Sequence, residues 1–283
     1  MRVLVTGATG FIGKRLVQKL AGKHRIICFV LKPSNVDNLE KIGAEIRYGD
    51  LLDRNSVFSA VKNADAVIHL ATSHFQGNEK GNIKGTKNLI DACKKNKIGK
   101  MIFVSSMAVK RKNLDSYGRA KLEIEKMLKS SGLKYVILRP SVIYSEDNLS
   151  LIGTSLKSLP FIIPIIGTGK YKMSPVYVDD VAEAISRAAG NKKAVGKEYD
   201  IAGGKSISFN EIIKICRERF KIRKITVHVP ISLAVFLFKF IPLASTESIR
   251  GIEEDSNADI TGLKKDLHFV PLSFREGIKN VII

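Results

Sequence analysis

Arg2-Val3-Leu4-Val5-Thr6-Gly7-Ala8-Thr9-Gly10-Phe11-Ile12-Gly13 opens the chain and decides how it folds. Arg2 to Val5 reads as a buried strand, since consecutive apolar residues leave no solvent face. A helix follows the glycines and carries Leu16, Val17 and Leu20 on one side. In a strand–turn–helix of this kind Gly7 permits the tight turn and Gly10 lets the backbone approach a pyrophosphate. Gly13 lets helix and strand pack closely. The unpaired amides around Thr9, Phe11 and Ile12 then meet an anion at the positive end of the helix.

Downstream, short β-branched runs alternate with helical patterns. Strands are expected at Ile26 to Leu31, Ala44 to Tyr48, Ala66 to Leu70, Met101 to Val104 and Tyr135 to Leu138. Helices are expected at Ser56 to Lys62, Asn82 to Lys95 and Tyr117 to Leu128, the second with Ile83, Thr86, Leu89, Ile90 and Cys93 on one face. Apolar strands separated by helices imply a parallel sheet covered on both sides. Right-handed crossovers make it a doubly wound α/β Rossmann sheet, with its crevice at the carboxyl ends of the strands. After Pro140 the rhythm breaks at Gly153, Pro160, Pro164, Gly167 and Gly169, and resumes with a helix over Val178 to Ala189. Residues 1–150 are therefore expected to form a dinucleotide-binding domain, completed by parts of 175–205. Residues 151–283 should mainly build a smaller α/β substrate-binding lobe.

The formal charge of +20 is spread along the whole chain without a recognition motif, so no nucleic-acid partner is expected. A basic surface that attracts anionic ligands is the expected alternative. Cys28, Cys93 and Cys216 form neither a metal spacing nor a disulfide framework, and the five histidines show no metal spacing. No metal site is expected, and the cytoplasm suits free thiols. The N-terminus does not read as a secretory leader. Val229 to Leu243 is the longest apolar segment, but Pro230, Lys239 and Pro242 interrupt it. With Phe236, Leu237, Phe238, Phe240 and Ile241 it is either a helix packed into the second lobe or an exposed patch. Such a patch would meet a lipid, a lipophilic substrate or a partner subunit. A homodimer also stays open.

Motifs in a fixed order identify a resemblance. The G-x-x-G-x-x-G turn is followed by Gly49-Asp50-Leu51, His69-Leu70-Ala71-Thr72 and Asn82-Ile83-Lys84-Gly85-Thr86. Leu138-Arg139-Pro140, Pro175 to Val181, Tyr199 to Gly204 and Leu267 to Pro271 come after them. Together they resemble the extended and atypical branches of the short-chain dehydrogenase/reductase superfamily, in its NAD-dependent epimerase/dehydratase family. The resemblance spans nearly the whole chain and implies a bound NAD or NADP. It implies that Asp50 and Leu51 meet the adenine, and that Leu70, Ala71 and Thr72 lie beside the cofactor with Pro140, Ser141 and Val142. The second strand ends Phe29-Val30-Leu31-Lys32-Pro33-Ser34, without the carboxylate that holds both ribose hydroxyls in NAD sites. Lys32 can instead face a 2′-phosphate, which favours NADP, or be an ordinary exposed lysine.

Tyr117-Gly118-Arg119-Ala120-Lys121 places a tyrosine and a lysine four apart on one helical face. A phenol that loses its proton near pH ~10 needs a cation beside it to serve as acid/base at neutral pH. By alignment with the family's Ser-x-x-Val pattern Ser106, rather than Ser105, binds the substrate oxygen. The connection from Ser106 to Tyr117 is short for a nucleotide-sugar enzyme, and Lys110-Arg111 replaces the family's Tyr-Gly. That resembles the atypical branch that includes relatives of the 39-kilodalton subunit of complex I. The resemblance thus implies hydride transfer at a carbonyl or alcohol carbon, with a nucleotide sugar as substrate class and a small or lipophilic carbonyl as the runner-up. Lys170, Tyr171 and Lys172 lie where a diphosphate would be met, or are a surface charge cluster. A different class, an assembly protein with a structural dinucleotide, has no need of Ser106, Tyr117 and Lys121.

Overall fold

The structure is a computed structural model and describes residues 1–72, 78–146, 149–238, 254–256 and 258–282. The opening stretch forms β1 (Arg2–Thr6) and α1 (Phe11–Leu20), joined by the glycine turn. There follow β2 (Arg25–Val30), α2 (Asp37–Glu40), β3 (Glu45–Tyr48), α3 (Arg54–Ala60), β4 (Ala66–His69), α4 (Glu79–Lys95) and β5 (Lys100–Val104). After β5 come a short 3-10 turn at Met107–Lys110, α5 (Ser116–Ser130) and β6 (Tyr135–Pro140). Apart from the short α2, which the sequence does not predict, the order of helices and strands matches the sequence expectation, with ends moved by a few residues. α3 starts earlier than Ser56 because the Asp53 carboxylate accepts from Asn55 N and caps the helix there.

Beyond Pro140 lie β7 (Ile143–Tyr144), α6 (Ser150–Lys157), β8 (Ile162–Ile166), β9 (Lys172–Met173), β10 (Val176–Tyr177) and α7 (Val178–Gly190). They are followed by β11 (Lys197–Ile201), β12 (Ile207–Ser208), α8 (Phe209–Phe220), β13 (Ile225–Val229) and α9 (Ile231–Phe238). Seven strands make one sheet in the order β11-β6-β5-β4-β1-β2-β3, with every neighbouring pair parallel. The order reverses between β1 and β4, which sets the ligand crevice of such sheets at the carboxyl ends of those two strands. Val3, Val5 and Cys28 face one buried side with α1 and α7, while Leu4, Ile27 and Met101 face the other. Arg15 ties α1 across to Glu146 and Asp179, and Lys19 to Glu183.

Three two-stranded pairs, β7 with β10, β9 with β12 and β8 with β13, lie outside the main sheet. They share a second core around Tyr144, Ile163, Ile165, Phe209 and Phe274. α9 covers the first part of the apolar segment expected from Val229 to Leu243. It buries Ala234 and leaves Leu233 and Phe236 exposed. Lys239, Phe240, Ile241, Pro242 and Leu243 lie outside the described residues. Among the described residues no helix is long and apolar enough to cross a membrane. The three cysteines are buried and free, and burial pushes each thiol up to about 12.

One buried relay fixes the crevice where β1 and β4 end. Ala71 N donates to Thr6 Oγ1 at 3.3 Å, and Thr6 Oγ1 lies 2.7 Å from His69 Nδ1. His69 Nε2 lies 2.9 Å from Thr86 Oγ1, whose hydroxyl donates to Asn82 O at 2.8 Å. Because the Thr86 proton is already committed to that carbonyl, His69 donates from Nε2 and accepts the Thr6 hydroxyl at Nδ1. Burial, with the nearby Lys121 cation, pushes the imidazole down to about 3 from an ordinary 6.5. Below pH 6.5 the unfolded chain therefore binds a proton here that the folded chain refuses. Stability contributed by neutral His69 is full above pH 6.5 and is lost as pH falls towards about 3. The limiting slope is about 1.4 kcal/mol per pH unit. In His69→Gln, chemical denaturation across this range should give a visibly shallower loss of stability with acid. An unchanged slope would show that the imidazole is not held neutral.

Candidate active site

The turn between β1 and α1 is built as its sequence requires. Gly7 has φ +73°, and a Cβ there would sit 2.7 Å from Ala71 N. A Cβ on Gly13 would lie 2.1 Å from Gly7 O, so the helix start and the turn touch backbone to backbone. Gly10 N closes the turn onto Gly7 O at 3.0 Å. Gly10 is the N-cap of α1, without a side-chain cap, and the first turn, from Phe11 through Gly13, carries no carboxylate. Its amide donors and partial positive charge are what a phosphate needs. Next to the turn, Leu70, Ala71 and Thr72 continue from β4. Thr72 Oγ1, Ser105 Oγ and Ser141 Oγ, at the ends of β4, β5 and β6, are buried without a hydrogen-bond partner among the described residues. Narrow backbone clearance, free helix-end amides and unpaired hydroxyls along the same strand ends fit a dinucleotide laid across the sheet.

The second and third strands end side by side, with Gly49 N bonded to Val30 O at 3.0 Å. Lys32 is exposed, its Nζ 5.1 Å from the centre of the Tyr48 ring. Asp50 is exposed too, and its Oδ1 accepts from Leu52 N at 2.8 Å. Leu51 is held through its carbonyl by Asn88 Nδ2 at 2.9 Å.

Ser106, Tyr117 and Lys121 come together. Ser106 Oγ accepts from Ala108 N at 3.1 Å and so caps the 3-10 turn after β5. It also shares a hydrogen bond with the Tyr117 hydroxyl. Asp115 caps α5 by accepting from Gly118 N at 2.7 Å, which starts the helix at Ser116 and fixes Tyr117 in its first turn. Burial raises the Tyr117 pKa and Asp115 adds to that, while the Ser106 hydrogen bond opposes it. Lys121 Nζ donates to Val104 O at 3.1 Å and lies 4.9 Å from the Phe103 ring and 5.8 Å from the Tyr117 ring. Burial lowers its pKa to about 8, against the upward pull of Glu125.

Glu125 belongs to no motif in the sequence, though it stands four residues after Lys121 on the same face of α5. It is fully buried and accepts two bonds from Arg139, at 2.8 Å from Nε and 2.5 Å from Nη2. Arg139 also bonds Glu198, which pairs with Lys129. A fork-to-carboxylate pair of this kind fixes both side chains in direction as well as distance.

A cavity of about 960 Å³ opens beside Ser106. Pro140, Ser141 and Val142 form part of its wall, with Met107 and Met173. Five cations line it: Lys110, Arg111, Lys112, Lys170 and Lys172. Lys110 is paired with the buried Asp200 at 2.5 Å. Lys170 and Lys172 are exposed in the cavity wall. Tyr171 is mostly core, stacked on Phe209 with ring centres 5.4 Å apart. Glu254, Asp255 and Ser256 also line the wall, and no motif predicts them there. Glu254 accepts from Lys112 N and Asn113 Nδ2, Asp255 accepts from Lys172 N, and Ser256 N donates to Lys172 O. This short stretch bridges the loop after Ser106 to β9.

Comparison with known proteins agrees with this fold. An uncharacterized UDP-glucose epimerase of Bacillus subtilis is 27% identical, over 100% of this chain and 97% of that protein. The fold is shared with the crystal structure of a UDP-glucose 4-epimerase from Thermotoga maritima bound to UDP-glucose, at 24% identity and TM-score 0.79. That match covers 99% of this chain and 97% of the other. An NADPH-dependent quinone oxidoreductase of Escherichia coli, solved with NADPH, also shares it, at 21% identity and TM-score 0.81 over 98% of both chains. A family model described as NAD(P)H-binding matches residues 7–192. The chain belongs to this NAD(P)H-binding family, of the atypical short-chain dehydrogenase/reductase superfamily.

Proposed function

We propose that the protein is an NAD(P)-dependent enzyme that changes the oxidation level of a carbonyl or alcohol carbon in an anionic substrate, a nucleotide sugar being the class that fits best. The observation that carries this reading is the joining of Ser106, Tyr117 and Lys121 beside a cavity with five cations in its wall. On this reading residues 1–150, with parts of 175–205, hold the dinucleotide, and 151–283 supply most of the substrate's surroundings. The helix-end amides from Gly10 to Gly13 bind the pyrophosphate, Asp50 and Leu51 flank the adenine, and Leu70 to Thr72 and Pro140 to Val142 line the nicotinamide half.

When bound, the nicotinamide supplies a two-electron acceptor or donor of hydride. Tyr117, kept protonated by burial at neutral pH, gives its proton to the substrate oxygen when a carbonyl is reduced, and recovers one in the opposite direction. The Ser106 hydroxyl turns from Tyr117 to the same oxygen and polarises it. Lys121 holds a positive charge under the phenol and reaches towards the ribose. Lys170 and Lys172 meet the phosphates. A small lipophilic carbonyl is the second reading, favoured by the apolar wall of Met107, Pro140, Val142 and Met173. Incubation with UDP-sugars, followed by NMR of the sugar, separates the two. Epimerised sugar without net NADPH consumption supports the first, while NADPH consumed only with ketones or quinones replaces it with the second.

Tyr117→Phe is expected to lower turnover by roughly 10²–10⁴-fold while leaving dinucleotide affinity nearly unchanged, and Lys121→Ala to weaken both. Near-normal turnover in Tyr117→Phe would remove the tyrosine from this role. Because the Lys121 ammonium is lost as pH rises through about 8, kcat/KM for carbonyl reduction should decline above that pH. In Lys121→Arg the decline should disappear, even if the maximum is lower. With no carboxylate at the end of β2 and Lys32 there instead, NADPH should bind about tenfold more tightly than NADH, or ~1.4 kcal/mol. Calorimetric titration of both dinucleotides checks this, and equal affinities would refute it.

A further inference from the structure

The parallel pair β8 and β13 turns Ile163 and Ile165 into the second core, where both are fully buried. Alternation along a strand then puts Ile162 and Pro164 on the opposite face, and the register places Ile225 and Val227 beside them. None of these four is buried. At the same end of the pair Ile225 N bonds Phe161 O at 3.1 Å, and Lys224 Nζ holds the carbonyls of Leu156 and Leu159. The turn before β8 and the start of β13 are thus one surface. Its apolar side chains are strongly exposed, Phe161 by 81% and Ile225 by 63%, with Leu159 and Val227 beside them. Edge strands in soluble proteins are normally guarded by charge. β13 has none within it.

The segments that form this face carry basic charges only, and Glu218, next to Arg219, is paired with Arg275. No Asp or Glu occurs between Leu149 and Val178 or between Arg219 and Phe238. Lys157, Lys221 and Arg223 are exposed at its rim, without an ion pair among the described residues. A second copy related by a two-fold axis would set this patch against itself, cation against cation. An anionic bilayer satisfies both parts at once: aliphatic and aromatic side chains enter the headgroup boundary while the cations meet lipid phosphates.

We propose that this face, centred on Phe161 and Ile225 and rimmed by Lys157, Lys221 and Arg223, docks the protein peripherally on anionic phospholipid membranes. The inference is independent of the substrate. The chain contains no tryptophan, so Phe161→Trp gives a single tryptophan at the centre of the patch, excited apart from the tyrosines at the red edge of its absorption. Its emission should shift to the blue with vesicles of equimolar phosphatidylcholine and phosphatidylglycerol, and not with phosphatidylcholine alone. The wild-type chain should co-sediment with the mixed vesicles at low salt and be released at high salt. Ile225→Ser and the double variant Lys221→Glu, Arg223→Glu should each weaken this by about tenfold or more. Their melting temperatures and NADPH affinity should match the wild type, because the altered side chains lie outside both cores. Wild-type protein left in the supernatant at low salt overturns the proposal, as does an unshifted emission spectrum when the Phe161→Trp variant sediments. Equal sedimentation of the variants also overturns it. A dimer by size exclusion that Ile225→Ser dissociates would replace the bilayer with a second copy.

Discussion

Everything at the crevice depends on the backbone of Gly7 lying against the backbone that leaves β4. A Cβ at Gly7 would meet Ala71 N at 2.7 Å, so the turn can exist only if the two strand ends are brought together without side chains between them. The relay through Thr6, His69 and Thr86 accomplishes this, since each member belongs to a different element. Thr6 ends β1, His69 ends β4 and Thr86 lies on α4. The relay runs in one direction from Ala71 N–H to Asn82 O, with each proton assigned to one acceptor. A charged imidazole would turn Nδ1 from acceptor to donor, reverse the bond to Thr6 and leave the Thr6 proton without this acceptor. Burial that keeps His69 neutral is therefore part of the same construction.

A second constraint organises the reacting groups. Tyr117, Lys121, Glu125 and Lys129 recur every four residues along α5, which stacks them on one face. At the top of that stripe is the phenol bonded to Ser106. Lower down is a carboxylate gripped by Arg139 from β6. Breaking a buried pair of this type by removing one partner costs about 3–5 kcal/mol, yet an intact pair adds little over apolar packing. Its consequence lies in placement: Glu125 fixes the base of the stripe and offsets part of the cost of burying the Lys121 cation.

Much of this is legible in the sequence, for reasons that can be named. Local chemistry writes the first half: Gly7 and Gly13 mark the turn, apolar runs mark the central strands, and Tyr117 and Lys121 are spaced for one helical face. The structural part played by His69 is not legible, because its partners Thr6 and Thr86 are distant in sequence and histidine spacing reports only on metal binding. Glu125 carries a signal, the same four-residue spacing that singles out Lys121. Its meaning depends on Arg139 at the end of β6, whose closeness to α5 no periodicity reveals. The pairing of β8 with β13 is equally hidden. The strands are some sixty residues apart by their registered residues, Ile162 with Ile225, and each reads as an unremarkable apolar run.

The least legible part is also where the cavity departs from a simple basic pocket. Five cations in one wall would repel one another, and the structure meets this with two acidic devices of different kinds. Asp200, buried and also accepting from Asp259 N, neutralises Lys110 from behind. Glu254 and Asp255 instead accept from backbone amides of Lys112 and Lys172, leaving the lysine side chains their charge while holding the loop and β9 in place. The short connection from Ser106 to Tyr117 thereby gains a brace from the far end of the chain. On the proposed reading, an anion in the cavity would meet cations whose backbone is already held in place by Glu254 and Asp255, so part of the ordering cost of binding would be met by the fold.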